Sequence, residues 1–93
     1  MDFEWDDGEA ASNLKKHGVS FGEATTVFGD PLAITFDDPD HSADENRFIT
    51  VGASLQQVLL IVSHTDRSGR TRIISVRKAT RKERSIYEDK EAN

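Results

Sequence analysis

Cysteine is absent from this 93-residue chain, which removes disulfide cross-links, thiolate metal sites and a cysteine nucleophile at once. That absence suits a reducing cytoplasm, and structural zinc is not expected. Long apolar runs are missing too: the longest, Val58–Val62, falls far short of the ~20 residues that span a bilayer. The first residues, Met1-Asp-Phe-Glu-Trp-Asp-Asp7, are acidic where a secretory leader is basic. The expectation is a cytoplasmic protein with no membrane partner. Hydrophobic residues reach only 35% against 31% charged, yet the apolar ones cluster in short runs, as in a chain that folds. One domain over residues 1–93 is expected, burying roughly 60–65% of its unfolded surface. No internal repeat or low-complexity segment interrupts it.

Positive charge is scarce except in one place. His64 to Arg84 holds eight of the twelve Lys and Arg residues and two acidic ones, Asp66 and Glu83, a balance of +6. Residues 1–63 stand at −9 and the tail from Ser85 at −2, so the net −5 is a sum of opposed blocks. Such segregation points to an anionic partner, foremost a phosphodiester backbone.

Local patterns give an element order. Phe3 and Trp5 alternate with acids as a very short strand, and Asp6 or Asp7 caps a helix running to about Lys16. Lys15, Lys16 and His17 suit the negative end of that helix, and Gly18 suits its termination. Ser20-Phe-Gly-Glu23 is a capping box that opens a second helix with Phe21, Ala24, Val27 and Phe28 on one face; Gly29-Asp-Pro31 ends it. Four strand-like runs follow: Leu32–Phe36, Arg47–Gly52, Val58–Thr65 and Thr71–Lys78. The link from Asp37 to Asn46 reads as an acidic solvated loop, and Arg67-Ser-Gly-Arg70 as a hairpin tip. Thr80-Arg-Lys-Glu83 is a second capping box, starting a last helix to about Asp89 with Ile86 and Tyr87 as docking residues. The expected fold is α+β: a short strand, two helices, a four-stranded antiparallel sheet and a C-terminal helix, with helices on one sheet face and the other left open. Alternation puts Thr71, Ile73, Ser75 and Arg77 on one side of the last strand and Arg72, Ile74, Val76 and Lys78 on the other.

Cutting RNA without a metal requires a base for the 2′-hydroxyl, an acid for the leaving oxygen, and cations aimed at the phosphorane. Arginine suits the last role, because its planar fork donates two hydrogen bonds and stays charged. Arg67, Arg72 and Arg77 are the candidates for this clamp, with Arg70 and Arg81 as outer contacts. His64 ends a strand near Arg72 and has the pKa range of an acid or base, although a strand-end histidine is more often structural. Glu83 is the carboxylate nearest Arg77 and Arg81, although its capping position explains it without catalysis. Tyr87 suits base stacking or packing, and Lys15, Lys16 and His17 form a second basic spot. His17, His41 and His64 match no ligand spacing, so no metal or other cofactor is expected. Ser20, Ser63 and Ser75 lack the flanking glycines of a nucleophile elbow.

A series of short motifs carries a family resemblance: Phe3-Glu-Trp-Asp6, Asn13, Lys16-His-Gly-Val-Ser-Phe21, Asp30-Pro31, His41-Ser42, His64-Thr65, Arg67, Arg72-Ile-Ile-Ser75, Arg77, Ala79-Thr80 and Glu83-Arg84. Together they resemble the BrnT family of bacterial type II toxins, over nearly the whole chain, with a fold similar to the RelE and ParE toxins. The resemblance implies a ribonuclease that arrests growth and is neutralised by a BrnA-like ribbon-helix-helix antitoxin, the pair also acting on operator DNA through the antitoxin. It places the functional burden on Arg67, Arg72 and Arg77, with Lys16 and His17 as secondary candidates. Two positions depart from the family pattern: Val76 stands where alanine is common and Glu9 where lysine is frequent. The alternatives are a ParE-like toxin that binds a protein target, and an inactive binding module of the repressor complex.

Overall fold

The computed structural model describes residues 1–41 and 45–92. Ser42 to Asp44 of the acidic link, Asn93, and the side chains of His41 and of residues 90–92 lie outside the described residues. The chain runs β1 (Phe3–Glu4), α1 (Asp7–His17), α2 (Phe21–Thr26), a 3₁₀ turn (Val27–Gly29), β2 (Ile34–Asp37), a 3₁₀ turn (Pro39–His41), β3 (Arg47–Ala53), β4 (Leu59–Arg67), β5 (Arg70–Lys78) and α3 (Arg81–Ala92). Among the described residues no helix is long and apolar enough to cross a membrane.

Side-chain caps fix the helix ends. Asp6 accepts from the amide of Glu9 at 2.9 Å to start α1, and Gly18, at φ 71°, turns the chain out while its N–H reaches the carbonyl of Leu14. Ser20 accepts from the amide of Glu23 at 3.0 Å, but the expected return bond is missing, because the Glu23 carboxylate accepts instead from the Ser54 hydroxyl at 2.8 Å. At α3 the box is complete: Glu83 accepts from the Thr80 amide at 2.9 Å and its own amide donates to Thr80 Oγ1 at 3.3 Å.

The sheet has five strands in the order β1-β5-β4-β3-β2, and β1 lies parallel to β5 while the remaining pairs are antiparallel. The expected four-stranded antiparallel meander is therefore corrected to a five-stranded mixed sheet. The extended segment before α1 seats Phe3 against Phe28 (ring centroids 5.3 Å apart) and bonds along the outer edge of β5, where the Thr71 amide donates to the Asp2 carbonyl at 2.8 Å. β2 starts two residues later than expected, because the Asp30 carboxylate accepts from the Leu32 amide and holds Pro31 and Leu32 in a turn.

Helices α1 and α2 cover one face of this sheet. Val19, Phe21, Ala24 and Val27 pack there against Leu60, Val62, Ile73 and Val76, and each of these side chains larger than Ala24 contributes roughly 1.5–3 kcal/mol. Gly52 is required by this contact: a Cβ there would stand 2.9 Å from Val27 Cγ1 and from Ala33 Cβ. The expectation of a bare opposite face is corrected in part. Val51, Leu59 and Ile61 form a second cluster on that side, covered by Ala79 and Tyr87, so α3 roofs one end and leaves the rest open. Of the two expected docking residues only Tyr87 docks; Ile86 is 49% exposed.

Beyond β1 the edge of β5 is closed by a side chain. Asn13 is buried in α1; its Nδ2 donates to the carbonyls of Val76 (2.8 Å) and Val19 (3.1 Å), and its Oδ1 accepts from the Val76 amide (3.0 Å). One amide thus reproduces the two-way bonding of a neighbouring strand.

Candidate nucleic-acid interface

Strand β5 carries an irregularity that decides where its arginines point. Ser75 pairs with Ser63 of β4 and Ile73 with the adjacent His64, which leaves Ile74 as an extra residue, a β-bulge. Directly paired residues share a sheet face, so Thr71, Ile73 and Val76 all point to the helices, and Ile73 and Val76 lie in one core cluster. Arg70, Arg72, Ser75 and Arg77 share the opposite face with Ser63, Thr65 and Arg67 of β4, and Arg47 of β3 joins them across Thr65. The alternation expected from sequence, with Arg72 and Arg77 on opposite faces, is corrected by this single inserted residue.

The open face is ordered in rows across the strands: Arg47, Thr65 and Arg72; then Phe36, Ile49, Ser63 and Ser75; then Ile34, Val51, Ile61 and Arg77. Two half-buried serines therefore lie between the Arg72 row and the Arg77 row.

Each arginine of the expected clamp meets a carboxylate. Arg67 Nε donates to Glu45 at 3.1 Å, Arg72 Nη1 to Glu4 at 3.2 Å, and Arg77 binds Glu83 through two bonds of 2.7 Å. Glu9 lies 3.8 Å from Arg72 and Glu4 4.0 Å from Arg70. Hydrogen bonding to Arg67 holds the Glu45 carboxyl below its usual range, and the same bond raises the arginine's pKa. The +6 block of sequence is thus not a bare cationic surface: Glu4 of β1, Glu9 near the start of α1 and Glu45, two residues before β3, bring acids from the −9 block onto it. Glu9, a departure from the family pattern, is one of these acids, and a lysine there would repel Arg72.

Glu83 is fully engaged. Its bonds to Arg77, followed by that from the Thr80 amide, depress its pKa to about 2 despite burial, so it is ionised and a poor proton acceptor at neutral pH. His64 lies on the helix side of the sheet, on the opposite face from the arginines. Its Nε2 is 2.7 Å from Thr50 Oγ1, its ring stacks on Phe48 and meets Phe28 edge-on, and its Nδ1 is buried without a hydrogen-bond partner among the described residues. Burial lowers its pKa, partly opposed by Asp66. Tyr87 packs on the second cluster and donates to Asp30 Oδ2 at 2.7 Å. Burial works against the Asp30 charge, but the Ala53 amide, the Tyr87 hydroxyl and the Leu32 amide outweigh it and keep the carboxyl below its ordinary pKa.

Lys15, Lys16 and His17 occupy the last turn of α1 as its dipole favours. Lys16 and His17 line a shallow groove with Glu9, Asn13, Ile74 and Ser75, which joins this basic turn to the edge of the arginine face. Arg81 is exposed in the first turn of α3. The structure therefore sets Arg67, Arg70, Arg72 and Arg77 on one face, with Arg67 and Arg77 three rows apart along the strands, brings Lys16 and His17 to the groove at its Ser75 edge, and puts His64 on the opposite face. Sequence reading missed Glu4, Glu9 and Glu45 as partners, Arg47 as a neighbour, and Asn13 as the edge cap. One signal was available for the bulge: apolar residues at 73, 74 and 76 break strict alternation. Among the described residues no group of three His, Asp or Glu side chains is placed to hold a metal ion.

Among solved structures, the chain is similar to the Brucella abortus ribonuclease toxin BrnT, known from a 1.1 Å crystal structure. The TM-score is 0.69 at 23% identity, covering 87% of this chain and 99% of that one. Fold and site together define a small α+β protein with an arginine-lined sheet face. The model of the family described as ribonuclease toxin, BrnT, of type II toxin-antitoxin system matches residues 5–83, and the chain belongs to that family. No curated protein matches it. It is thus a toxin of the type II class, whose family is described as ribonucleases and whose partner is an antitoxin.

Proposed function

We propose that this chain, as one toxin domain over residues 1–93, cuts RNA on its arginine face without a metal ion, in the cytoplasm. The ribose 2′-oxygen attacks the adjacent phosphorus, the bond to the 5′-oxygen breaks, and the products are a 2′,3′-cyclic phosphate and a 5′-hydroxyl. Arg67, Arg72 and Arg77 bind the scissile phosphate and offset the charge that grows on the phosphorane. The observation that carries this reading is the bulge at Ile74, which turns Arg72 and Arg77 to the face that holds Arg67. The phosphate exchanges with the carboxylates now on the arginines, most readily at half-exposed Arg67. Neither His64, on the far face, nor Glu83, with a pKa of about 2, is the base. The 2′-hydroxyl proton passes to water and the 5′-oxygen takes one from water, while the arginines supply positioning and electrostatics.

In this reading a BrnA-like ribbon-helix-helix antitoxin covers the arginine face, and the complex acts on operator DNA through the antitoxin. The test is incubation of purified protein with RNA in excess EDTA. Cutting that persists and leaves cyclic phosphate ends supports the proposal; cutting abolished by EDTA overturns the metal-free step. Growth arrest with intact RNA would point to a protein target, as in ParE-like toxins. The ion pairs themselves favour one second reading: arginines already neutralised by carboxylates suit an inactive binding module of the repressor complex. Expression of the chain alone would then leave growth unchanged.

A further inference from the structure

Four of the five phenylalanines touch another aromatic ring: Phe3 meets Phe28, Phe21 meets Trp5, and Phe28 and Phe48 meet His64. Phe36 has no such contact among the described residues and is 44% exposed. It sits on edge strand β2, and its register places it on the arginine face, in the row of Ile49, Ser63 and Ser75. Two strand spacings, about 10 Å, separate it from Ser63. A free ring on an open sheet face, beside cations, is the arrangement that holds unpaired bases by stacking while arginines hold the backbone.

We propose that Phe36 is the base-stacking platform of this face, receiving a nucleobase next to the phosphate seated over Ser63 and Ser75, so that single-stranded RNA crosses the sheet along this row. The inference rests on the reading of the arginine face as the RNA site and adds to it where the neighbouring base goes. Stacking on a phenylalanine face accepts every base, so Phe36 supplies affinity and register and leaves sequence choice to other contacts. The two serine hydroxyls make no side-chain hydrogen bond among the described residues and are free to meet a phosphate oxygen.

The test uses the full chain and a single-stranded 2′-O-methyl oligonucleotide, which lacks the attacking hydroxyl and is not cut. 2-Aminopurine is placed at successive positions along it. Wild-type protein should change the 2-aminopurine emission at one position in the bound register. Phe36→Leu should remove that change and weaken binding roughly five- to hundredfold, Phe36→Tyr should restore both, and Leu55→Ala, at an exposed hairpin tip, should do neither. Thermal melts establish that Phe36→Leu is folded. Binding and emission unaltered in Phe36→Leu, with binding lost in Arg72→Ala, would overturn the stacking role and leave the arginine reading standing. Binding insensitive to both substitutions would overturn both. Equal losses in Phe36→Leu and Phe36→Tyr would show an edge-strand effect and also overturn the proposal.

Discussion

Arg77 and Glu83 meet in a two-point ion pair, Nη1 to Oε1 and Nη2 to Oε2 both at 2.7 Å, and the same carboxylate closes the N-terminus of α3 through the amide of Thr80. One acidic side chain therefore ties the orientation of an arginine on the open face to the seating of the helix that roofs part of it. Replacing Arg77 by Ala should lower RNA cleavage on the order of a hundredfold, the scale of losing one aimed donor. Stability should fall by only about 1 kcal/mol, because much of the pair faces water and is screened. Arg77→Lys, which keeps charge without the fork, should fall between wild type and Ala in activity. Single-turnover cleavage rates beside urea unfolding of the same variants check both arms.

Acid should destabilise the protein in two windows with different owners. The folded-state pKa of His64 is lowered by burial from 6.5; the unfolded chain then binds the proton more readily, so stability present above pH 6.5 is lost as pH falls below it. Glu83 is depressed from 4.5 to about 2, so its contribution is present above pH 4.5 and lost between 4.5 and about 2. His64→Gln should flatten unfolding free energy against pH just below 6.5, and Glu83→Gln should lessen its slope below 4.5, where Asp30 and Glu45, whose carboxyls are also held low, contribute the remainder. Since His64 lies on the face away from the arginines, His64→Gln should leave the pH profile of cleavage unchanged. Urea titrations at stepped pH, with cleavage rates across the same range, check the assignments.

Asn13 should tolerate neither removal of its amide nor replacement of the Nδ2 donor by a charged acceptor. Asn13→Ala leaves the amide and carbonyl of Val76 and the carbonyl of Val19 without their partners, an expected loss of about 2–3 kcal/mol. Asn13→Asp keeps the acceptor for the Val76 amide but turns a second oxygen toward two carbonyls, in a buried place. It should be the more damaging of the two near neutral pH and recover partly as the carboxyl is protonated. Thermal melts of both variants at two pH values give the comparison.

Capping residues and turn formers act within a few positions of themselves, which is why Asp6, Ser20, Thr80 and Gly18 were readable from sequence with nearly the right helix bounds. Strand runs were readable because apolar residues cluster where β3, β4 and β5 lie. Pairing between distant segments left no local mark: Phe3 and Glu4 carry no signal that they will bond along β5, nor does Glu45 show that it will face Arg67. Charge counting along the chain therefore overstated the bareness of the arginine face, since folding returned acids from the first half to it. His64 looked available because strand ends are commonly wet, yet Phe28 and Phe48 close over it from elements far away in sequence.

The bulge at Ile74 holds the residue of β5 that stands outside the ladder, and it can be removed. Deleting Ile74 leaves Ile73 opposite His64 and Ser75 opposite Ser63, so Arg72, Ser75 and Arg77 keep the open face and Ile73 and Val76 the helix side, now in strict alternation. Core and arginine face are both kept, so the deletion variant should still unfold cooperatively and still require Arg72 and Arg77 for cleavage. Ile74→Ala keeps the extra residue and trims a half-buried side chain, at a cost of about 1 kcal/mol; its sensitivity to Arg77→Ala should stay that of the wild type. Circular dichroism melts and cleavage rates check both variants. A deletion variant that fails to fold, or whose cleavage no longer depends on Arg77, would show that Ile74 is not the residue that stands outside the ladder.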